Sequence, residues 1–529
     1  MTRSLPRALR AGVREVRRGL QLAALMRRAP VCTAQPEDDV RARLARRAEH
    51  FLWTVEHLNF ARQDSPYRPL LDAAGYDLPR IRQLVACLGL DAALDRLWQD
   101  GVYVRIQEFK GREAAVRHGR TFRFRERDFA NPRAPGVLRG QSSGSRSGGT
   151  QTEVSVDDLL HHTRLLAWML ERYGLQERDV VVWLTPGAGL ERVVRFALAG
   201  RRPLRWFSPV GFSSPSVPLM LTVARAAGAG PLPRPHVVPP DRVLEIARYI
   251  HRVNTRRGLL VAAFVNSALR LVLAAEEAGI ALGDVAFLLM GEPVTPVKRR
   301  QLEERGFQVF SRFGFFELGE PAWACLAPRE SDDLHVMTDM VAVRQYPRAV
   351  DRNGTTVPAF LFTSLLPWAR HVMLNMETGD YGGLEERSCG CFLDRAGLRL
   401  HMHTVRSFEK LTAEGITFLG PSLIELLEDV LPRRFGGDSR HYQLVEGEDA
   451  QGFTKLYLLV SPRLGPLDET ALRRTLLAEL GMRHLDPVYG RTVAAVWSQA
   501  DTIQIVRRDP LPTTAGKVLH LHRVTGALT

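Results

Sequence analysis

The strongest constraint in this chain is an alternation. From 154 to 306, helical stretches take turns with short, wholly apolar runs, among them VVVWL at 180–184 and VAFLLM at 285–290. A strand that is apolar on both faces must be covered on both faces, and intervening helices supply the cover. The pattern predicts an α/β architecture on a mainly parallel sheet. Upstream, 36 to about 98 reads as helical with breaks at 64–66 and 75–79, and 101–131 mixes strand-like VYVRI and TFRFRERDF with turns. From about Arg406 the reading changes to a smaller α+β unit, with a helix near 422–429, a strand KLYLLV at 455–460, a helix at 468–480 and a last strand at 492–497.

Length and composition narrow the class. A chain of 529 residues allows two to four domains. The expected division is a basic leader at 1–35, a large domain at 36–405 whose 36–130 part is helical, and a small domain at 406–529. The longest uncharged apolar stretch, GLLVAAFVNSAL, ends at Arg270 after twelve residues, too few to span a bilayer. Five cysteines are too few for a disulfide scaffold, and arginines interrupt the first residues where a cleavable signal needs an apolar core. The expected location is the cytoplasm. The formal charge is +14, yet 67 of the 72 cations are Arg and only Lys110, Lys298, Lys410, Lys455 and Lys517 are Lys. That bias reads as genomic, and it makes each lysine informative. A positive balance suits anionic partners such as nucleotides. Nucleic acid is not expected, because the arginines are spread along the chain without a binding motif.

In the leader, Leu5, Leu9, Val13, Val16 and Leu20 recur at three- and four-residue steps, so they share one helical face, with arginines on the rest. Two readings stand: a helix docked on the protein's own body, or one making a peripheral contact with an anionic membrane or a partner through 1–30.

Five stretches carry the chemistry. QSSGSRSGGTQT (141–152) is Gly, Ser, Thr or Gln at every position but Arg146. Glycines let backbone amides approach phosphate oxygens and hydroxyls add donors, although a polar linker has the same composition. It is no Walker A loop, since Thr150 stands where that loop has Lys. LMGEPVTP (289–296), RFGFFELGEP (312–321), ETGDYG (377–382) and LPTTAGKVLHL (511–521) follow in order. Together these stretches resemble the adenylate-forming superfamily of acyl-CoA ligases and adenylation domains, whose phosphate loop, GGEPLTP, YGxTE, TGD and PxTxxGK motifs occur in that sequence. The likeness runs from about Ser65 to the last residues and is nearest to the phenylacetate–CoA ligase branch, with acyl-protein synthetases close by.

The resemblance implies a fold and a set of roles. The fold is a large adenylate-forming α/β domain with mainly parallel sheets plus a small mobile α+β domain. Ser142, Ser143, Gly144, Ser145 and Thr150 would hold the ATP phosphates, with Gly291, Glu292 and Arg406 also at the nucleotide. Asp380 would accept from the ribose hydroxyls, and Glu317 would ligate Mg²⁺, a hard cation suited to oxygen ligands. Lys517 would reach the forming acyl-phosphate as a compact, mobile cation. The acid pocket would be lined by Phe264, Asn266, Phe313, Gly314 and Phe315, which suit an aryl or fatty acid. The segment 403–429 resembles the family's hinge. The implied reaction is ATP-dependent formation of an acyl-adenylate, then transfer to CoA or an acyl-carrier thiol. The sequence departs from the pattern at Arg146, Gly148, Phe316, Asn375 and Glu377, so an adenylate- or partner-binding module with weak catalysis is the other reading.

The cysteines make a separate argument. Cys389-Gly-Cys391 is a tight pair, and Cys325 and His335 lie ten residues apart upstream. Three thiolates and an imidazole form a tetrahedral structural Zn²⁺ set, and some phenylacetate–CoA ligase relatives resemble this arrangement. The alternative is a core Cys325 and a loop pair without a partner. Cys32 and Cys87 read as ordinary apolar residues.

Overall fold

The computed structural model describes residues 7–27, 31, 35–141, 151–211, 216–254, 257–349, 356–407, 410–413, 416–419, 426–482, 496–511 and 521–523. After α1 (Arg7–Met26) come α2 (Pro36–Ala45), α3 (Arg47–Thr54), α4 (Arg68–Ala73), α5 (Leu78–Leu88) and α6 (Leu90–Gln99). The breaks fall where the sequence places them. At the second, the Asp77 side chain accepts from the Arg80 amide and Pro79 occupies the first turn of α5, a ready helix start.

Short α7 (Ile106–Phe109) and two hairpins follow, β1 (Ala115–Arg117) with β2 (Arg120–Phe122) and β3 (Gly136–Gln141) with β4 (Gln151–Ser155). VYVRI is not a strand, contrary to expectation. Val104 makes one bridge to Met376, and the Glu108 carboxylate accepts from the Arg105 amide, which starts α7 instead.

The α/β expectation holds. Strands β5 (Asp179–Trp183), β6 (Arg205–Ser208), β7 (Pro235–Val237), β8 (Leu259–Phe264), β9 (Val285–Met290) and β10 (Gln308–Phe315) alternate with α8 (Val156–Arg172), α9 (Pro186–Leu198), α10 (Ser216–Ala226), α11 (Leu244–Val253), α12 (Val265–Glu277) and α13 (Pro296–Glu303). All six pair in parallel, in the order β7-β6-β5-β8-β9-β10. The long apolar stretch at 258–269 is β8, buried at every residue, running directly into α12.

The sheet does not stop there. β10 turns antiparallel onto β11 (Gly319–Ala324), and β12 (Leu334–Val336), β16 (Leu400–Ser407), β15 (Met376–Glu386), β14 (Thr356–Ser364) and β13 (Val341–Ala349) extend it to twelve strands. The hairpin β17 (Lys410–Ala413) with β18 (Ile416–Leu419) leads out of it.

A second sheet, β21-β20-β19-β22, is built from β19 (Tyr442–Glu448), β20 (Thr454–Val460), β21 (Ile503–Arg507) and β22 (Leu521–Arg523). It has its own apolar core, including Leu444, Leu458, Leu472, Leu476 and Trp497. The helix Glu469–Met482 matches the sequence reading. Of the expected strand at 492–497, 492–495 lie outside the described residues, while Val496 and Trp497 are helical and the next described strand is β21. Trp497 lies buried among core side chains, so its apolar character reflects burial rather than strand pairing. Residues 420–425 lie outside the described residues, and a helical turn runs on from Leu426.

The β19–β20 turn reaches back to the large sheet. Thr295 Oγ1 donates to Glu448 at 2.9 Å, and Lys298 Nζ donates to Thr454 Oγ1 at 2.7 Å and pairs with Glu448 at 3.2 Å. Among the described residues no helix is long and apolar enough to cross a membrane.

Candidate functional site

In a doubly wound sheet, ligands bind beyond the carboxyl ends of the strands, beside the point where strand order reverses. Here the chain runs outward from β5 to β7 and returns to β8, so the reversal lies between β5 and β8. Phe264, Asn266, Met290, Gly291 and Glu292 stand at the carboxyl ends of β8 and β9, where Phe264 and Met290 are in register. The Asn266 amide donates to Glu292 Oε2 at 2.9 Å, so this carboxylate caps α12. Gly291 has φ +81, and a Cβ there would stand 2.8 Å from the Phe264 ring. Close packing of the two strand ends therefore requires glycine. Asn266 is fully buried, and its Oδ1 accepts from the Thr454 amide of the second sheet.

Phe313 and Phe315 lie at the end of β10 and pack with Phe362, at 6.1 and 5.1 Å between ring centroids, while Gly314 between them is exposed. Glu317 follows on the turn to β11. Its Oε1 lies 3.4 Å from Lys110 Nζ, which also holds Glu126 at 3.1 Å. Buried His371 is nearby, and its imidazole is pushed down to about 4 by burial, with the Glu317 carboxylate pulling the other way.

Asp380 and Arg406 lie one register step apart on β15 and β16. Successive side chains point to opposite faces, so Arg406 shares its face with Tyr381, not with Asp380. Arg406 instead pairs with Asp332 at 3.2 Å, and Asp380 accepts from Thr378 Oγ1 at 3.0 Å. Asn375 and Glu377 bind the helical part to the sheet. Asn375 Nδ2 donates to the Leu94 and Val102 carbonyls, and Glu377 accepts from the Ile106 amide and pairs with Arg348. Ser142, Ser143, Gly144, Ser145, Thr150 and Lys517 lie outside the described residues.

A second group of expected residues does converge. Cys325 follows β11, His335 is on β12, and Cys389 and Cys391 lie between β15 and β16. Cys325 and Cys389 Sγ are 3.6 Å apart, and His335 Nε2 is 3.4 Å from Cys389 Sγ and 3.1 Å from Cys391 Sγ. Tetrahedral Zn–S of about 2.3 Å and Zn–N of about 2.0 Å give edges of about 3.5 to 3.8 Å. The observed spacings are near these, and all four ligand atoms lie within 4.8 Å of one another. His335 Nδ1 is 2.7 Å from the Leu398 carbonyl, which turns Nε2 toward the thiols. Asp394 accepts from the Cys389 and Gly390 amides and from Ser388, holding the loop. This donor set fits Zn²⁺. Cys87, read as an ordinary apolar residue, is exposed on α5.

A third group escaped the sequence reading. Arg192 and Arg195 of α9 and Arg312 of β10 surround one carboxylate oxygen of Glu320 on β11. Glu191 joins Arg195 to Arg370, which pairs with Asp158 at 2.9 Å. All are buried or nearly so. Burial alone would raise the Glu320 carboxyl, but Arg192, Arg312 and Arg195 outweigh it and hold it well below the carboxylate range. Burial and the adjacent Arg192 bring Arg312 down to about 9. In a chain with 67 arginines these gave no signal; only the charges inside apolar segments such as VVRFAL hinted at them.

No protein-family profile and no curated protein matches the chain. Among solved structures it is similar to the o-succinylbenzoate CoA synthetase of Bacillus subtilis (14% identity, TM-score 0.37, covering 70% of this chain and 65% of that one). It is also similar to the acyl-CoA synthetase of Brucella canis (18%, 0.31, 71% and 62%) and to amide bond synthetase McbA from Marinactinospora thermotolerans (13%, 0.33, 73% and 97%). The chain thus covers less than two thirds of the first two. Likeness at this level carries no argument about activity.

Proposed function

We propose that this chain activates a carboxylic acid with ATP to an acyl-adenylate and passes the acyl group to a thiol, of CoA or of a carrier protein. One observation supports the reading most. Stretches that resemble separate motifs of adenylate-forming enzymes, 289–296 and 312–321, meet at the carboxyl ends of adjacent parallel strands, beside Phe264 and next to the reversal of strand order. Residues 36–405 form the ATP- and acid-binding part and 406–529 the smaller part that turns about the segment after Arg406.

Joining a carboxylate to a phosphate brings two anions together, so the catalyst's task is to position them and to offset charge. Asp380 binds the ribose, and Lys517 approaches the acyl-phosphate during adenylation. A Mg²⁺ ion at Glu317 supplies charge stabilisation when bound, and would share that carboxylate with Lys110. We also assign a structural Zn²⁺ to Cys325, His335, Cys389 and Cys391.

The pairing of Glu317 with Lys110 and of Arg406 with Asp332 favours one other reading, a nucleotide-binding module with weak catalysis. Incubation of the full chain with ATP, Mg²⁺ and a panel of aryl and fatty acids, with hydroxylamine trapping and a pyrophosphate readout, separates the two. Acid-dependent hydroxamate that disappears in Lys517→Ala is the expected result. Nucleotide binding without pyrophosphate release across the panel supports the module instead.

A further inference from the structure

Helix α1 presents the face that sequence periodicity would bury. Val13, Val16 and Leu20 recur at the spacing of one helical stripe, and they are 60%, 39% and 51% exposed. The opposite face does the docking. Leu22, Ala23, Leu25 and Met26 are buried, and Gly19 lies so close to α10 that a Cβ would come within 2.8 Å of the Met220 carbonyl and the Val223 side chain. Two charges are buried on that inner face as well: Arg18 pairs with Glu15 at 2.9 Å and with Glu153 of β4 at 2.6 Å. Arg27 donates to the Ala227 carbonyl at 2.9 Å. The helix is therefore pinned from Glu15 to Arg27 with an aliphatic stripe turned outward. Leu219, on the neighbouring α10, is 40% exposed.

The exposed charges on the described part of α1 itself are of one sign. Arg14, Arg17 and Arg27 are exposed, while the acid Glu15 is buried against Arg18. Residues 1–30 carry eight arginines and this single acid. An aliphatic stripe flanked by arginines suits the boundary of an anionic bilayer, where the stripe enters the acyl region and the guanidiniums reach the headgroups. The helix is already folded and docked, so no ordering cost opposes binding. A stable protein interface needs about 800 Å² from each partner, more than three partly exposed aliphatic side chains provide.

We propose that the outward face of α1, formed by Val13, Arg14, Val16, Arg17 and Leu20, docks this protein on an anionic lipid surface. The inference is independent of the adenylation chemistry. The full chain is tested by co-sedimentation with vesicles of phosphatidylcholine alone and with added phosphatidylglycerol. Binding should occur on the anionic vesicles, weaken with salt, and fall at least ten-fold in Val13→Ser/Val16→Ser/Leu20→Ser. Arg14→Gln/Arg17→Gln leaves the stripe intact and should lower binding several-fold, which keeps the test open if the triple variant misfolds. Circular dichroism checks that each variant is folded. Absence of binding to anionic vesicles overturns the proposal, as does binding that both variants retain. So does a concentration-dependent dimer abolished by the triple variant without vesicle binding, which would assign the face to a second copy.

Discussion

Two polar clusters hang from the two ends of β11, and they are stabilised in opposite ways. Near its start, Glu320 is surrounded by guanidiniums, and every charge there has a partner of opposite sign within the chain. Just past its end, Cys325 gathers with His335, Cys389 and Cys391, four electron-pair donors, with Arg387 Nη2 4.0 Å from the Cys325 Sγ. The first cluster is held by ion pairs among its own residues, the guanidiniums of Arg192, Arg195, Arg312 and Arg370 with the carboxylates of Glu320, Glu191 and Asp158. The second has the donor set and spacing of a metal site. A buried ion network can look like a functional site while pairing within the chain, whereas four soft donors at tetrahedral spacing have the chemistry of a Zn²⁺ site.

The largest expected effect is at the ion-paired end. Glu320→Gln leaves three buried guanidiniums facing a neutral group and should destabilise the fold by about 3–5 kcal/mol in denaturant unfolding. Replacing Glu320, Arg192 and Arg312 together by apolar residues of similar volume should recover most of that loss; if it does not, the cluster has a role beyond charge balance. The same carboxylates set an acid limit. Asp158, Glu191 and Glu320 are each held below their ordinary values, which are 3.8 for Asp and 4.5 for Glu. Their stabilisation is thus fully present above about pH 4.5 and is lost as pH falls toward the lowered values, because protonation then favours the unfolded chain. An unfolding series from pH 6 downward checks the sign.

At the donor-only end, metal analysis should give about one zinc per chain. Cys389→Ser/Cys391→Ser should remove it, and a chelator should lower Tm in the parent protein but not in this variant. A metal-free parent with an unchanged Tm would show that the two clusters do not differ in the way described.

How much of this was readable beforehand follows the same division. The apolar runs VVVWL and VAFLLM became β5 and β9 because burial on both faces leaves a strong pattern. The cysteine cluster was readable because Cys is rare here. The arginine cluster was not, since Arg is everywhere. VYVRI misled because an alternating run satisfies a strand pattern, while the Glu108 cap that starts α7 decides otherwise. Trp497 misled because an apolar residue reports burial without reporting which element buries it. The proposed nucleotide positions rest on resemblance alone. Geometry adds that Asp380 and Arg406 are neighbours in register yet face opposite ways, a consequence of strand pleat that follows only once pairing is known.

A smaller effect is expected where the second sheet meets the first. Lys298 is one of five lysines, and its 1% exposed side chain is held by Glu448 and Thr454. Glu448 keeps 19% exposure, so water partly offsets the loss of its partner. Lys298→Met should cost about 1–3 kcal/mol. Denaturant unfolding of the full chain beside the parent checks it.

The smallest effect comes from the cysteine outside both clusters. Cys87 is exposed on α5, with nothing at tetrahedral spacing around it among the described residues. Cys87→Ser should leave stability within about 0.5 kcal/mol and zinc content unchanged. The comparison depends on this null effect as much as on the large ones. If losing Cys87 lowered the metal content as Cys389→Ser/Cys391→Ser does, the metal would be bound by thiols in general, and the geometry beside β11 would no longer explain it.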